Sequence, residues 1–440
     1  MTEAEVLIIG AGAAGLMAAR ELSQAGKRVV VLEARQRLGG RIYTFSGEGF
    51  TAPTEAGAEF MHGEVPLTQS LLAEANIAYH DTAGEMYEVE NGQVQASEGM
   101  FEDLPTLLEH LQTLEHDMTL ASYLAQYFAG EQYAGLRTWV TRFAEGYDAA
   151  DAERVSVFAL REEWAAGGAE DSPRPAGGYS RLIEHLAAAC RVAGGQIHLG
   201  HVVQTVQWQP GRAQVLCTNG SQFMAKQIML TLPLGVLQAR DGQPGYVRFQ
   251  PELPTQRAAA QALGFGPVIK VLLEFDTSFW ETVGPALQRP LPNMGFLFSD
   301  APVPTWWSQL PEQRPLLTGW VAGPAAERLR HTAPEEVLQQ ALESVAYLLG
   351  SSPAAVREHL VAHKVVNWGA DAFALGAYAY ATVGAAEARA VLTQPVANTL
   401  FFAGEALYEG HAMGTVEAAL ASGQQTAQKL LACPINPHSA

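Results

Sequence analysis

Three short clusters hold most of the chemistry legible in this 440-residue chain. The first, Gly10-Ala11-Gly12-Ala13-Ala14-Gly15, follows the apolar run Val6-Leu-Ile-Ile9 and precedes a helical face marked by Leu16, Ala19 and Leu22. Glycines at this spacing permit a tight strand-to-helix turn, let backbone N–H groups approach a pyrophosphate, and let helix pack on strand. The helix N-terminus then attracts the phosphate charge. The second cluster is Glu33, at the end of the buried-type strand Arg28-Val-Val-Val-Leu32, where a carboxylate can accept both hydroxyls of an adenosine ribose. A 2′-phosphate would be repelled there, which argues against NADP. NAD and FAD both stay open until the third cluster, Leu38-Gly39-Gly40-Arg41, a second glycine turn ending in a cation that can reach phosphate or ribitol on the flavin side. That turn selects FAD. A fourth residue draws notice on its own: Lys270 stands between Val268-Ile269 and Val271-Leu272, in a chain whose other lysines are only Lys27, Lys226, Lys364 and Lys429. A cation in an apolar strand is costly to bury unless it meets water, a carboxylate or a ligand.

The elements that must position these residues fall into three blocks. After the N-terminal block, a helix from Gly177-Gly178 through Leu186 to Ala189 ends at Gly194-Gly195, and strands follow at 196–199, 202–208, 213–218 and 227–232. The third block is the strand Thr399-Leu-Phe-Phe402 with a helix from Thr415 to about Leu431. Between them lie helical patterns at 104–114, 120–128 and 136–143, strand patterns at 268–275 and 316–321, and a helix at 334–349. The expected fold class is α/β. A Rossmann-like FAD-binding domain, discontinuous in sequence, takes residues 1–77, 195–265 and 393–436; an α+β substrate-binding domain takes 78–194 and 266–392.

Length alone calls for two domains, since single cores stop growing near roughly 250–300 residues. Acidic residues outnumber basic ones 46 to 27, for a formal charge of -19, so nucleic acid and anionic membranes are not expected partners. The cysteines, Cys190, Cys217 and Cys433, are three, far apart and without a C-x-x-C pair, so neither a disulfide framework nor a metal site is indicated, and a reducing cytoplasm fits best. The apolar run 6–19 follows the acidic Met1-Thr-Glu-Ala-Glu5 and is not read as a signal peptide, and no stretch approaches the roughly 20 apolar residues of a membrane span. Nothing here sets the oligomeric state.

With these residues placed, the chain resembles the flavin amine oxidases: monoamine oxidases, polyamine oxidases and lysine-specific histone demethylases. The likeness rests on the first glycine turn with Glu33, Arg37-Leu38-Gly39-Gly40-Arg41, Gly57-Ala58-Glu59-Phe60-Met61-His62-Gly63, Thr231-Leu232-Pro233-Leu234-Gly235-Val236-Leu237, Phe402-Ala403-Gly404-Glu405 and Gly414-Thr415-Val416-Glu417, in that order along nearly the whole length. The resemblance implies non-covalent FAD bound by Gly10, Gly12, Ala14, Gly15, Glu33, Arg35, Gly40, Arg41, Gly57, Ala58, Glu59, Phe60, Val203, Trp368, Gly404, Glu405, Thr415 and Val416. It implies catalytic roles for Lys270, which would hold a water against the flavin, for Tyr378 as one wall of a substrate cage beside Trp368, for His62 at the substrate channel, and for Thr415. Two departures matter. Ala377 stands where monoamine oxidases carry a cysteine that bonds the flavin, and Thr415 where they carry the second cage tyrosine. No tower-like insertion or basic tail is seen, so the likeness is not expected to extend to histone demethylation.

The reaction so implied is oxidation of an amine to an imine, hydrolysed to an aldehyde, with oxygen reduced to hydrogen peroxide. Rival readings on the same fold are an L-amino-acid oxidase, with Arg142, Arg161 or Arg181 clamping a carboxylate, and a desaturase whose apolar substrate would suit Phe296, Phe298, Trp306, Trp307 and Trp320. A non-catalytic flavin-binding protein is the alternative from another class. Acid precipitation of the purified yellow protein should leave all flavin in the supernatant, because Ala377 offers no nucleophile; flavin retained in the pellet would disprove non-covalent binding.

Overall fold

The first strand, Thr2–Ile9, is apolar on both faces and needs cover on both. In the computed structural model, which describes residues 2–96, 104–165, 172–282, 289–410 and 412–433, it lies inside an eight-stranded sheet. Gln196–His198, Val29–Leu32, Thr2–Ile9, Gln222–Leu230 and Leu400–Phe402 run parallel to one another. Val203–Gln209 and Arg212–Cys217 extend the sheet as an antiparallel pair, with Arg248–Gln250 beyond. All three sequence blocks therefore supply parallel strands, as a doubly wound α/β fold requires.

Helices Ala13–Gln24, Ser180–Val192 and Val416–Ala432 cover one face, through Leu16, Met17, Leu182, Ile183, Leu186 and Leu420. Pro254–Ala262 and Ala385–Thr393 cover the other. The helix Ser180–Val192, grouped by sequence with segment 78–194, thus packs in the core of the first sheet. Its strong apolar face could not reveal against which sheet it would close.

The second sheet has seven strands, in the order Leu360–Asn367, Val268–Phe275, Leu316–Ala322, Thr305–Trp307, Met294–Ser299, Glu85–Glu90 and Gln93–Ala96. Its first five strands are antiparallel, and Glu85–Glu90 joins parallel to Met294–Ser299. The hairpin Glu85–Glu90/Gln93–Ala96 carries few strongly apolar residues, and sequence patterning passed over it. The strand Val268–Phe275 is buried along all eight residues. Ile269, Val271 and Leu273 pack with Val337, Ala341, Leu342 and Val345 of helix Pro334–Leu349, so Val268, Lys270, Leu272 and Glu274 face the opposite way. There Leu272 packs with Phe45 and Phe50 of the hairpin Thr44–Gly47/Phe50–Glu55. A third body, helices Leu120–Tyr127, Ala134–Gly146 and Val157–Ala165, closes through Tyr123, Leu136, Val140 and Leu160.

Close approach demands glycine at several positions, two of them beside helix Ala13–Gln24. A Cβ on Gly15 would lie 2.0 Å from the carbonyl oxygen of Gly10, and one on Gly423 would lie 2.3 Å from that of Ala14, where helix Val416–Ala432 crosses Ala13–Gln24. Gly423→Ala therefore sets a helix-propensity gain of about 1 kcal/mol against an overpacking cost of about 1–3 kcal/mol. The expected net result is a lower denaturant midpoint; a midpoint at or above wild type would show that the crossing relaxes freely.

Candidate active site

The two sheets and the helical body enclose one cavity of about 1400 Å³. That exceeds the roughly 300–1,000 Å³ of an ordinary small-molecule site. Every residue assigned from the resemblance to the flavin or to catalysis lines it except Gly15, which lies beneath the first glycine turn and keeps helix and strand together.

The end of the cavity at the first glycine turn suits an anion and a ribose. Helix Ala13–Gln24 starts at Gly12 with no side chain capping its first N–H groups, so those donors are left for a ligand. A Cβ placed on Gly12 would meet nothing nearer than 3.8 Å, which leaves open space over the turn. Glu33 accepts the amide of Ala11 at 2.9 Å on one oxygen and that of Arg35 at 2.9 Å on the other. Each carboxylate oxygen retains acceptor capacity toward the cavity. Arg35 is fixed by Asp371. These features fit a dinucleotide such as FAD.

Arg41 does not reach into the cavity as a free cation. Its guanidinium donates to Glu405 at 2.7 Å and to the carbonyl of Ala377, and Glu405 also accepts the amide of Ala379 at 3.3 Å. Arg41 therefore ties the second glycine turn to the segment carrying Tyr378. Helix Val416–Ala432 opens on the cavity with Thr415 as its cap: the Thr415 hydroxyl accepts the amide of Ala418 at 3.1 Å and donates to Ala412 at 2.7 Å. Thr415 is committed to the helix end in the place where a second cage ring would stand.

Lys270 is 1% exposed. Its ammonium donates to Glu59 Oε2 at 2.6 Å and to the carbonyl of Gly57 at 3.2 Å. Glu59 Oε1 accepts Trp307 Nε1 at 3.0 Å and pairs with Arg174 Nε at 2.9 Å. Burial works against the Glu59 charge, but Lys270 and Arg174 outweigh it and hold the carboxyl below its ordinary value.

From Glu59 an aromatic wall runs through the cavity. His62, Phe60, Trp307, Trp320 and Tyr378 follow one another at centroid separations of 5.7, 5.4, 5.8 and 6.5 Å. Trp368 is buried nearby, its indole N–H bonded to the carbonyl of Ala56 at 3.0 Å. His62 Nδ1 lies 3.2 Å from Ser172 Oγ. Tyr378 donates its hydroxyl to the carbonyl of Tyr147, so the hydroxyl is already engaged within the protein and its ring is what lines the cavity.

Beside Tyr378, the end of helix Ala134–Gly146 turns Asp148 into the cavity wall, where it meets Glu163. Asp148 is 6% exposed, and its Oδ2 accepts no N–H or O–H from any described residue. Two carboxyls facing each other can bond only by sharing a proton. Burial and then the Glu163 charge push Asp148 well above the ordinary carboxylate range, and burial pushes Glu163 up to about 7. Arg174, Trp307, Asp148 and Glu163 were not singled out from sequence for these contacts. Arg174, between two prolines in Pro173-Arg174-Pro175, was the one with a local signal: a segment too rigid for an idle surface arginine.

A nucleotide-binding sheet with a second chamber walled by aromatic rings and carboxylates defines a flavoprotein oxidoreductase. The chain belongs to the flavin containing amine oxidoreductases, matching that family over residues 13–431. It is 32% identical over 98% of its length to Lysine-specific histone demethylase 1 homolog 2 of Arabidopsis thaliana, and spans 59% of that protein. It is 29% identical over 95% of its length to Polyamine oxidase 4 of Oryza sativa subsp. japonica, and spans 86% of it. Its fold matches putrescine oxidase bound to putrescine with a TM-score of 0.80 at 23% identity, over 98% of this chain and 99% of that one. Cyclohexylamine oxidase from Brevibacterium oxydans follows at 0.76 and 21%, over 97% and 98%. The family's cofactor is the flavin called for by the sequence, FAD.

The carboxyl pair has a consequence for stability. Both groups are raised in the folded state, Glu163 from 4.5 to about 7, so the folded protein holds more protons than the unfolded chain across that interval. Stability from this source is fully present below about 4.5 and is lost as pH rises to about 7. Asp148→Asn gives Glu163 an amide donor in place of a rival charge. The melting temperature at pH 8 should rise, with little change at pH 4.5; an unchanged value at pH 8 would show that the pair carries no strain.

Proposed function

We propose that the protein oxidises a diamine or longer polyamine, and the observation that carries this reading is the buried Asp148–Glu163 pair beside Tyr378. An unsatisfied buried carboxylate is costly, and an alkylammonium entering the cavity would relieve it by hydrogen bond and charge. A second carboxylate group at a distance from the oxidised carbon is useful only to a substrate with more than one amine.

The flavin, when bound, supplies the acceptor for the hydride equivalent, leaving an imine that hydrolyses to an aldehyde, and passes the electrons to oxygen as hydrogen peroxide. The chain's own residues prepare the amine. Its reacting nitrogen must lose a proton, and for an alkylamine of pKa about 10.4 that costs roughly 4–5 kcal/mol at pH 7. The Asp148–Glu163 pair would hold the far ammonium by charge and hydrogen bond, which leaves the reacting nitrogen in the aromatic part of the cavity. Desolvation in the apolar part of the cavity lowers that cost by disfavouring the cation, while the aromatic faces work the other way and attract the ammonium on arrival.

The amino-acid reading gains less support. Arg161 donates to the carbonyl of Leu111 and Arg181 to that of Ala176, both away from the cavity, and Arg142 is exposed at its rim. A desaturase would leave the carboxyl pair without a role, and Trp306 lies in the core of the second sheet. We place the cofactor in the division drawn from sequence, with helix Ser180–Val192 moved to the cofactor domain on account of its packing. The three unpaired cysteines are in keeping with a reducing cytoplasm, and no helix among the described residues is long and apolar enough to cross a membrane.

Peroxide release should be measured on diamines and triamines, on monoamines of matched chain length, and on L-amino acids. A diamine should exceed its matched monoamine in kcat/KM by about tenfold or more, equivalent to about 1.4 kcal/mol, and Asp148→Asn should erase that advantage through KM. Preference for the monoamine, or turnover of L-amino acids alone, would overturn the reading.

A further inference from the structure

The ammonium of Lys270 is held in a cage that has no counterpart in what the sequence suggested for it. Two of its three N–H donors are spent on Glu59 and on the carbonyl of Gly57, at 2.6 and 3.2 Å, and the third is left for the cavity the side chain lines. Glu59 is itself fixed from three sides, by Arg174, by Trp307 Nε1 at 3.0 Å and by Gln309 Nε2 at 3.4 Å. Arg174 is in turn buried and anchored, donating to the carbonyls of Leu310 and Ser308 at 3.2 and 3.0 Å, with its guanidinium 4.6 Å from the centre of the Phe60 ring.

We infer that Glu59 is a positioning residue for Lys270, locking its ammonium in place as a permanent hydrogen-bond donor at the flavin chamber and preventing it from serving as a proton acceptor. The reasons are chemical. A lysine can act as a base only by giving up its proton, and the carboxylate 2.6 Å away makes the neutral amine the worse partner. The lysine's long flexible stem would otherwise let the head group wander, whereas the Arg174–Glu59 anchor fixes it to two segments outside its own strand, 57–59 and 174. The inference concerns the cofactor chamber and holds whichever amine is the substrate.

A second carboxyl whose charge reaches Lys270 is Glu55, which burial raises although it accepts the amide of Tyr179 at 2.6 Å and Thr44 Oγ1 at 3.0 Å. On the strand of Lys270 itself, Glu274 faces the same way but is neutralised by Arg314 at 2.7 Å. The neighbouring strands set Trp320 and Val366 opposite Lys270. Glu59 is therefore the carboxylate in contact, and Glu55 the one to use as a control.

The test is a pH titration of the visible absorption spectrum of the flavin-loaded protein without substrate between pH 8 and 10, above the values near 7 to which burial raises Glu55 and Glu163. In Glu59→Gln the buried ammonium loses its counter-charge while Arg174 still opposes it. A one-proton spectral transition should appear in that range, absent from wild type and from Glu55→Gln, and abolished in the double variant Glu59→Gln/Lys270→Met. The kcat of Glu59→Gln should fall with the same midpoint while KM changes less than about threefold, and Glu59→Asp should restore the wild-type pH profile. Should Glu59→Gln retain too little flavin for spectra, melting temperatures of the four-member cycle decide instead. Glu59→Gln should then lower the melting temperature less in the Lys270→Met background than in wild type, because the interaction it removes is already gone. Strict additivity in that cycle would overturn the inference, as would a spectral transition that survives in the double variant or arises equally in Glu55→Gln.

Discussion

A cation buried in the middle of a fully buried strand is the constraint around which this structure is arranged. Val268–Phe275 supplies one face to the core of the second sheet, and on its other face it carries Lys270 and Glu274, two charges that apolar packing alone could not stabilise. Each is answered from outside the strand: Lys270 by Glu59, and Glu274 by Arg314 with the amide of Thr51. The groups that answer come largely from residues 51–59, which lead from the second glycine turn toward the chamber. Pairing the charges therefore fixes this segment against the second sheet. Removing one partner of a buried pair costs about 3–5 kcal/mol, far more than the pair contributes relative to an apolar core. Such a pair does more to define position than to add stability.

The carboxyls at the other end of the aromatic wall are treated in the opposite way. Glu59 has a full set of donors, whereas Asp148 has an oxygen with none among the described residues. Within one cavity the protein thus keeps a carboxylate satisfied beside Lys270, and leaves a carboxyl pair short of partners where, on the proposed reading, a cation would arrive. That deficit is a local loss of stability at neutral pH accepted at a functional site. The rings from Phe60 through Trp307 and Trp320 to Tyr378 separate the two ends, so Lys270 does not neutralise the pair from which a substrate ammonium would gain.

How much of this was readable in advance depended on how local each signal was. The strand-turn-helix at 6–22, Glu33 and the parallel strands at 222–230 and 400–402 announce themselves through apolar runs and glycines within a few residues, because their constraints are backbone constraints. Lys270 could be picked out as an anomaly, since its cost is visible from its immediate neighbours. Its partner could not: Glu59 lies 211 positions away and Trp307 a further 37 beyond Lys270. Likewise Asp148 sits in Gly146-Tyr147-Asp148-Ala149, which has the look of an ordinary helix end, and only the approach of Glu163 and Tyr378 in the folded chain makes it unusual. Arg41 shows the converse. Its type and place in the turn were legible, but the contact it makes, to Glu405 and the carbonyl of Ala377, depends on a segment more than 330 residues distant.

The placement of Tyr378 joins these arguments. Its hydroxyl is bonded to the backbone of Tyr147, one residue before Asp148, and its segment is tied through Ala377 and Ala379 to Arg41 and Glu405. The ring that walls the chamber is therefore connected on one side to the second glycine turn and on the other to the residue before Asp148. Movement of helix Ala134–Gly146 would shift Asp148 and Tyr378 together, because Trp320 also bonds that helix end, through the carbonyl of Gly146 at 2.8 Å. An ammonium that pulls Asp148 into register is then felt at the aromatic wall without any contact to it, and the order of events favoured by the geometry is charge recognition first and positioning of the reacting carbon second.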